Sequence, residues 1–214
     1  MHKRETMGIS RYLMAWMLSV LMFFFVADIT GFENITVKAE ETAKGIAVTQ
    51  NGTTTEYARF AEWRPGGSVE DSCTIKLLAD TSTTDVLKFS EGTFYLDLNG
   101  HTLDVGNNGV VITSSPLKNG IIEDNFGKKS GKLTGSNTSY NPVAIYSGSC
   151  TVKDGVTVEN TRYGSAISMN GDALTIEEGA RLEQRNNYGS LYVIRGRTDI
   201  NGGTLKGPLH VSGE

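Results

Sequence analysis

After Arg64, apolar and polar residues alternate in short runs, which is the pattern of β-strands with one buried face and one solvated face. Phe94 and Leu96 alternate with more polar residues, and Leu174 and Ile176 do the same further along the chain. No window in this part of the chain repeats apolar residues at the spacing of an amphipathic helix. The pattern therefore predicts an all-β chain.

One short helix is predicted before these strands, over residues 57–63 (Tyr-Ala-Arg-Phe-Ala-Glu-Trp). The sequence Arg-Pro-Gly-Gly at residues 64–67 ends it after about two turns, because proline lacks the amide hydrogen that a helix needs. We expect residues 40–72 to form a small N-terminal element that leads into a strand over residues 74–78.

The strands repeat along the chain with a period of about 24 residues, which lies in the range of repeat proteins. Val152, Ile176 and Ile200 mark three successive repeats, and a glycine follows each of them at the same distance. Each repeat contains three short strands joined by turns too brief to hold a helix. A parallel β-helix has this organisation, because its coils stack so that equivalent apolar residues form continuous columns inside.

We therefore assign residues 73–214 to a parallel β-helix solenoid with coils of about 24 residues. Glycine at the corners permits the positive φ angles that sharp turns between strands require. A two-sheet sandwich with hairpin turns is the alternative, because Asn51-Gly52 and Asn99-Gly100 are strong hairpin signals. The regular interval favours the solenoid.

Residues 1–39 have the organisation of a secretory signal peptide. Basic residues precede an apolar run over residues 12–27, and Val37 and Ala39 are small residues of the kind that signal peptidase prefers. The run is shorter than the ~20 residues that a membrane-spanning helix needs. We expect cleavage after Ala39 and an extracellular location, secreted or at the cell surface, with membrane contact only through this segment. A retained membrane anchor is the alternative.

The composition argues against several classes of function. The chain of 214 residues has 20 basic and 24 acidic side chains and a net charge of −4, so it lacks the excess of Lys and Arg that nucleic-acid binding requires. Its 2 Cys and 3 His residues are too few and too scattered for a disulfide scaffold or a compact zinc site. We expect no metal, no cofactor and no nucleic-acid partner.

Two stretches carry a resemblance to a known family: residues 74–80 (Thr-Ile-Lys-Leu-Leu-Ala-Asp) and residues 94–103 (Phe-Tyr-Leu-Asp-Leu-Asn-Gly-His-Thr-Leu). They resemble the opening coils of right-handed parallel β-helix, pectin-lyase-like surface proteins exported by Gram-positive, gut-type bacteria. The resemblance extends from about residue 46 to the C-terminus. It implies a scaffold whose members range from adhesin-like, glycan-contacting surface proteins to polysaccharide-cleaving enzymes, and fold alone does not choose among these.

The catalytic motifs of the enzymes in that family are not found in the sequence. Hydrolysis of a glycosidic bond needs two carboxylates facing it. His101 follows Gly100, as in one of those motifs, but the Asn-Gly-His-Thr stretch is better interpreted as a corner of the solenoid. Asp154 and Glu178 fall one coil apart, near Arg181. This group of charges has two interpretations, a calcium-dependent lyase site and a solvated charged face. We predict a non-catalytic protein. A polysaccharide lyase or glycoside hydrolase, with its active site unrecognised or in missing sequence, is the alternative.

The candidate ligand-contacting residues are Tyr163 and Tyr188, together with Asn160 and Asn187. The tyrosines recur at about the coil spacing, so we expect their rings to stack on neighbouring coils. Such rings can contact sugar rings while nearby amides hydrogen-bond sugar hydroxyls, which predicts an extracellular or host polysaccharide as the partner. The alternative is an aromatic stack that caps the turns, with an asparagine ladder inside the corner.

Cys73 and Cys150 each alternate with apolar residues, so both side chains should point into the core. About three coils separate them, which corresponds to roughly 14 Å along the solenoid axis. A disulfide tolerates a Cα separation of at most ~6.8 Å. We predict two buried thiols that behave as small hydrophobic groups.

The sequence ends with Val-Ser-Gly-Glu at residues 211–214, shortly after another coil has begun. It contains no polar capping helix at this end and no sorting motif of the Leu-Pro-x-Thr-Gly type. Because an uncapped solenoid leaves an open sheet edge, we expect the solenoid to be incomplete at the C-terminus, as in a segment of a longer surface protein.

Overall fold

The computed structural model divides the chain into two units, Met1–Glu41 and Thr42–Glu214. The structure describes residues 43–64, 68–69, 72–113, 119–136, 141–186 and 188–212, all of which belong to the second unit. The predicted signal peptide over residues 1–39 lies outside the described residues.

The strands of the second unit form three sheets. Sheet 1 contains β1 (Ile46–Gln50), β2 (Thr53–Tyr57), β4 (Cys73–Leu77), β7 (Thr93–Asp97), β10 (Asn119–Glu123), β13 (Ser149–Val152), β16 (Ala173–Ile176) and β19 (Arg197–Ile200). Sheet 2 contains β5 (Thr81–Ser82), β8 (Thr102–Asp104), β11 (Lys132–Gly135), β14 (Thr157–Asn160), β17 (Arg181–Gln184) and β20 (Thr204–Lys206). Sheet 3 contains β3 (Ser68–Val69), β6 (Leu87–Phe89), β9 (Val110–Ile112), β12 (Val143–Ile145), β15 (Ile167–Met169), β18 (Leu191–Val193) and β21 (Leu209–Val211).

From β4 to β21 the chain visits sheet 1, sheet 2 and sheet 3 in that order and then repeats the circuit. Each strand pairs in parallel with the equivalent strand of the neighbouring coil, as β13 does with β10 and β16. The described part of the chain is therefore a parallel β-solenoid, and the predicted fold class is confirmed. The two-sheet sandwich is not formed.

The predicted coil length holds for the coils between β13 and β19, and it varies before them and in the last coil, where Leu191 pairs with Leu209. Cys150 pairs with Leu174, and Leu174 pairs with Thr198, each time about 24 residues along the chain. The coil from Cys73 to its partner Phe94 is shorter, and the coil that ends at Cys150 is longer. The strands of these coils remain in register with their neighbours, so the difference in length lies in the loops between strands.

The inner columns are formed by residues that occupy equivalent positions in successive coils. Val152, Ile176 and Ile200 are parallel register partners, as the sequence predicts. Val152 and Ile176 are completely buried, whereas Ile200, in the last described coil, is 40% exposed. Burial of apolar surface stabilises a fold by about 25 cal/mol per Å², so a coil depends on its neighbours for stability.

One inner column contains a glycine that makes room for an aromatic ring. The rings of Phe89 and Phe94 stack with their centroids 3.9 Å apart. Gly120 is the register partner of Phe94 in the next coil, and a Cβ atom added at Gly120 would lie 2.4 Å from Cε1 of Phe94. The ring thus fills the space that a side chain at residue 120 would need.

A β-hairpin covers the N-terminal end of sheet 1. Strand β1 pairs antiparallel with both β2 and β4, and Asn51 and Gly52 form the hairpin turn with φ angles of 49° and 76°. Helix α1 (Phe60–Trp63) follows and is shorter than the predicted 57–63, because Arg59 has extended backbone with φ −154° and ψ 163°.

Asn99 and Gly100 have nearly the same φ angles, 47° and 78°, but they form a corner between β7 in sheet 1 and β8 in sheet 2. The N–H of Gly100 donates a hydrogen bond to Oδ1 of Asp124 at 2.7 Å, and Nδ2 of Asn99 donates to the carbonyl oxygen of Leu77 at 2.9 Å. Leu77 and Asp124 belong to the coils on either side, so these bonds hold the corner within the stack.

Candidate functional site

The aromatic corner is the surface formed by residues 160–165 and 184–190, residue 187 excepted, where two successive coils pass from sheet 2 to sheet 3. Strand β14 ends at Asn160, strand β17 ends at Gln184, and these two residues are register partners. Each carries a side-chain amide, which can close a turn by bonding to nearby backbone groups. The two turns are therefore built by the same device.

Asn160 closes the first turn. Its Nδ2 donates hydrogen bonds to the carbonyl oxygens of Tyr163 and Ser165, both at 3.1 Å, and its Oδ1 accepts one from the N–H of Arg162 at 3.0 Å. The backbone on both sides of the Tyr163 ring is thus fixed by one buried side chain.

Gln184 closes the second turn and ties it to the first. Its Oε1 accepts hydrogen bonds from the N–H groups of Asn186 at 2.5 Å and Tyr188 at 3.2 Å. Its Nε2 donates to the carbonyl oxygen of Arg162 at 2.6 Å, and Nδ2 of Asn186 donates to the same oxygen at 3.1 Å. The two turns therefore form one hydrogen-bonded unit.

Tyr163 and Tyr188 project from this unit and contact each other. Their ring centroids are 5.2 Å apart and their planes are 87° apart, and the two residues are 51% and 52% exposed. The predicted contact between rings on neighbouring coils is confirmed, but the arrangement is edge-to-face and not parallel. An edge-to-face pair is a favourable aromatic geometry, and it leaves aromatic surface open to solvent.

The two predicted asparagines are placed differently from the tyrosines. Asn160 is completely buried, and its amide is used by the turn, so it presents no polar group at the surface. This placement removes Asn160 from the candidate binding surface and matches the alternative of a corner asparagine. Asn187 lies outside the described residues.

Exposed polar residues lie close to the two tyrosines in the sequence, and sequence reasoning did not select one of them, Arg162. Arg162 is exposed, and within the described part of the chain its guanidinium group makes no hydrogen bond or ion pair. Asn186 and Arg185 are exposed on the neighbouring coil, and Nε of Arg185 lies 2.5 Å from Oε1 of Glu159. The position of Arg162 directly before Tyr163 is the sequence signal that could have identified it.

Glu159 is a buried carboxylate on the outer face of sheet 2, with 3% of its side chain exposed. It forms ion pairs with Lys132 in the preceding coil and Arg185 in the following one. Burial alone would raise the pKa of Glu159, but the hydrogen bonds from Lys132 and Arg185 outweigh it and hold the pKa below the usual 4.5. Glu159 therefore remains ionised and joins three coils.

The groups considered for a lyase or hydrolase site lie apart from the aromatic corner. Asp154 and Glu178 are exposed in the turns that follow β13 and β16, between sheet 1 and sheet 2, as a solvated charged face would have them. His101 follows the Asn99-Gly100 turn, and its Nδ1 lies 3.5 Å from Oδ1 of the exposed Asp80.

Within the described ranges, no group of three or more His, Cys, Asp or Glu residues is positioned to hold a metal ion. Among the same residues, no helix has the length and hydrophobicity needed to cross a membrane. Comparisons with protein-family models, curated proteins and solved structures find no match to this chain.

Proposed function

We propose that this chain is a non-catalytic, exported β-solenoid that binds polysaccharide at the aromatic corner. The observation that carries the proposal is the Tyr163–Tyr188 pair, two half-exposed rings in contact on successive coils. Aromatic rings bind sugars by packing against their C–H faces. Adjacent exposed rings on a protein surface are typical of an interaction site for a ligand or another macromolecule.

The backbone beneath the rings supports this function because it is already fixed. Asn160 and Gln184 hold the two turns through buried hydrogen bonds, so little conformational entropy of the backbone is lost when a ligand binds. The exposed guanidinium group of Arg162, directly before Tyr163, supplies donors for sugar hydroxyls or acidic substituents.

The proposed extracellular location rests on the sequence of residues 1–39, with its basic start, apolar run and small residues before the proposed cleavage position. The resemblance to pectin-lyase-like β-helix proteins of Gram-positive, gut-type bacteria is consistent with export. In that setting a solenoid serves as an adhesin-like surface protein whose partner is an extracellular or host polysaccharide.

A polysaccharide lyase or glycoside hydrolase is the second candidate, and one observation favours it. Glu159 and Glu183 are register partners on the outer face of sheet 2, and retaining hydrolases use two carboxyl groups about 5 Å apart. Glu159 is buried in two ion pairs, however, and Nζ of Lys206 lies 3.6 Å from Oε2 of Glu183. Charges engaged in this way are less suited to acid–base or nucleophilic catalysis, and binding remains the better explanation.

Binding measurements on a polysaccharide panel test the proposal. We expect the Tyr163→Ala/Tyr188→Ala double variant to bind at least about tenfold more weakly than the unaltered chain, as for paired aromatic contact residues. Tyr146→Ala is the matched control, because Tyr146 is also exposed, at 45%, but lies at the corner between sheet 3 and sheet 1. Circular dichroism should be the same for all three proteins.

Three results would contradict the proposal. The first is that the double variant binds as tightly as the unaltered chain. The second is that Tyr146→Ala weakens binding as much as the double variant does. The third is that the unaltered chain binds no polysaccharide of the panel. Release of reducing ends or unsaturated uronates, abolished by Glu159→Gln, would establish the enzyme instead.

A further inference from the structure

The chain contains six Asn-Gly dipeptides, a sequence prone to deamidation because glycine has no side chain to hinder attack by its backbone nitrogen on the asparagine side chain. Their asparagines are Asn51, Asn99, Asn108, Asn119, Asn170 and Asn201. All six dipeptides lie in the described residues. In two of them, Asn51-Gly52 and Asn201-Gly202, both the asparagine and the glycine are exposed, and in the other four they are not. The solenoid therefore places one reactive sequence in contrasting environments.

Asn51-Gly52 and Asn99-Gly100 form the matched pair. Both asparagines have left-handed backbone, with φ of 49° and 47°, and the following glycines have φ of 76° and 78°. Differences in reactivity between these two sites therefore do not arise from the φ angles or from the identity of the two residues.

At Asn99-Gly100 both groups that take part in deamidation, the glycine N–H and the asparagine side-chain amide, are held by hydrogen bonds. The N–H of Gly100, which must lose its proton to attack, donates to Oδ1 of Asp124 at 2.7 Å. The amide group of Asn99, which must rotate to receive the attack, donates to the carbonyl oxygen of Leu77 at 2.9 Å. Reaction at this site requires local opening of the corner.

At Asn51-Gly52 these restraints are absent. Within the described residues, the Asn51 side chain and the Gly52 N–H make no hydrogen bond, and a Cβ atom added at Gly52 would meet nothing within 4 Å. Hairpin tips of this kind open more easily than the packed interior of a fold.

We infer that Asn51 is a site of spontaneous deamidation and isoaspartate formation, and that the solenoid protects Asn99. The backbone nitrogen of Gly52 forms a bond to Cγ of Asn51, the Cγ–Nδ2 bond breaks, and ammonia leaves with the amide proton. Water then opens the resulting succinimide at either carbonyl, giving aspartate or isoaspartate. The balance is one water consumed and one ammonia released, with no change of oxidation state.

The modification alters the hairpin that covers sheet 1. Each event adds a negative charge at the tip, and the isoaspartate product also adds one methylene group to the backbone of a two-residue turn. The type of turn that joins β1 to β2 depends on its exact backbone geometry, so the isoaspartate form holds β2 against β1 less firmly.

Peptide mapping of the purified chain, aged at slightly alkaline pH, tests the inference. In the folded protein we expect Asn99 to deamidate at least about tenfold more slowly than Asn51. In concentrated urea at the same pH the two sites should react at comparable rates, because both are then unfolded. Labelling by an isoaspartyl methyltransferase should appear at residue 51 and be removed from that peptide by Asn51→Gln.

Two results would overturn the inference: equal rates at Asn51 and Asn99 in the folded protein, and a rate at Asn51 that rises by about tenfold or more on addition of urea. The first would show that the Asp124 and Leu77 hydrogen bonds do not protect, and the second that the hairpin tip is itself protected. Asn201-Gly202 has the same exposure and is expected to react in the folded protein as well.

Discussion

Cys73 and Cys150 lie in the same inner column of sheet 1, three coils apart, with Phe94 and Gly120 between them. Both thiols are buried, and no disulfide joins them. At ~4.8 Å per coil, three coils separate the two residues by roughly 14 Å, more than twice the Cα distance that a disulfide spans. The sequence prediction for these two residues is confirmed in both burial and spacing.

Thiol titration follows from this placement. We expect almost no reaction of the folded chain with a thiol reagent at neutral pH, and two reactive groups after denaturation without reductant. Burial raises the pKa of the Cys150 thiol to about 12, so the reactive thiolate is not formed near neutral pH. Fewer than two groups in the denatured monomer would mean that an intramolecular bridge exists.

Ile176→Asp should destabilise the solenoid by several kcal/mol, because it places an unpaired carboxylate in a dry column between Val152 and Ile200. Lys153→Ala is the control on the outer face, where Nζ of Lys153 lies 3.8 Å from Oε2 of Glu123. Loss of such a partly exposed pair costs at most about 1 kcal/mol. Thermal unfolding of the two variants measures the difference, and equal shifts would contradict the inward assignment of Ile176.

Gly120→Ala should cost about 1–3 kcal/mol, as is usual for overpacking of a core. The added Cβ would lie 2.4 Å from the Phe94 ring and 3.2 Å from Cδ1 of Ile112. Gly127→Ala is the matched control, since a Cβ at Gly127 would meet nothing within 4 Å. Urea denaturation gives both free energies of unfolding, and a neutral effect at residue 120 would show that Phe94 can move aside.

Glu159→Gln should lower the free energy of unfolding at neutral pH by about 1–3 kcal/mol, because two cations lose a buried partner. The unaltered chain should lose this contribution on acidification. A carboxyl whose folded-state pKa is depressed stabilises the fold above its unfolded pKa, here 4.5, and ceases to do so as the pH falls through the lower folded-state value.

Glu183→Gln is the control for this pair, since Glu183 is the more exposed register partner of Glu159. Its effect should stay within about 1 kcal/mol. If Glu159→Gln left the slope of stability against pH below 4.5 unchanged, the three-coil ion pair would not contribute to stability.

The sequence predicted the solenoid because its later coils are regular. In β13, β16 and β19 the inward positions alternate without interruption, so a single interval aligns them all. The interpretation of the Asn-Gly-His-Thr stretch as a corner is confirmed, although Asn99-Gly100 has the same local signal and nearly the same φ angles as the hairpin at Asn51-Gly52. The difference arises from bonds to Leu77 and Asp124 in other coils, which a local pattern does not contain.

The same limit applies to the aromatic corner. Coil spacing was sufficient to bring Tyr163 and Tyr188 together, because it depends only on strand register. The sequence left two placements of Asn160 open, a ligand-contacting surface and the inside of the corner, and the structure shows the second. A usable signal was present: Val158 and Asn160 are two residues apart in β14, so both point inward.

The equal spacing of the later coils makes them interchangeable units. Because Cys150 and Leu174 are register partners, as are Leu174 and Thr198, copying residues 150–173 in tandem would present each new strand with a neighbour of the length and alternation it already has. The protein would lengthen by ~4.8 Å per added copy, with the hairpin end unchanged. The length of the solenoid could therefore be set in fixed steps by the number of copied coils, and so could the distance between the hairpin and β21.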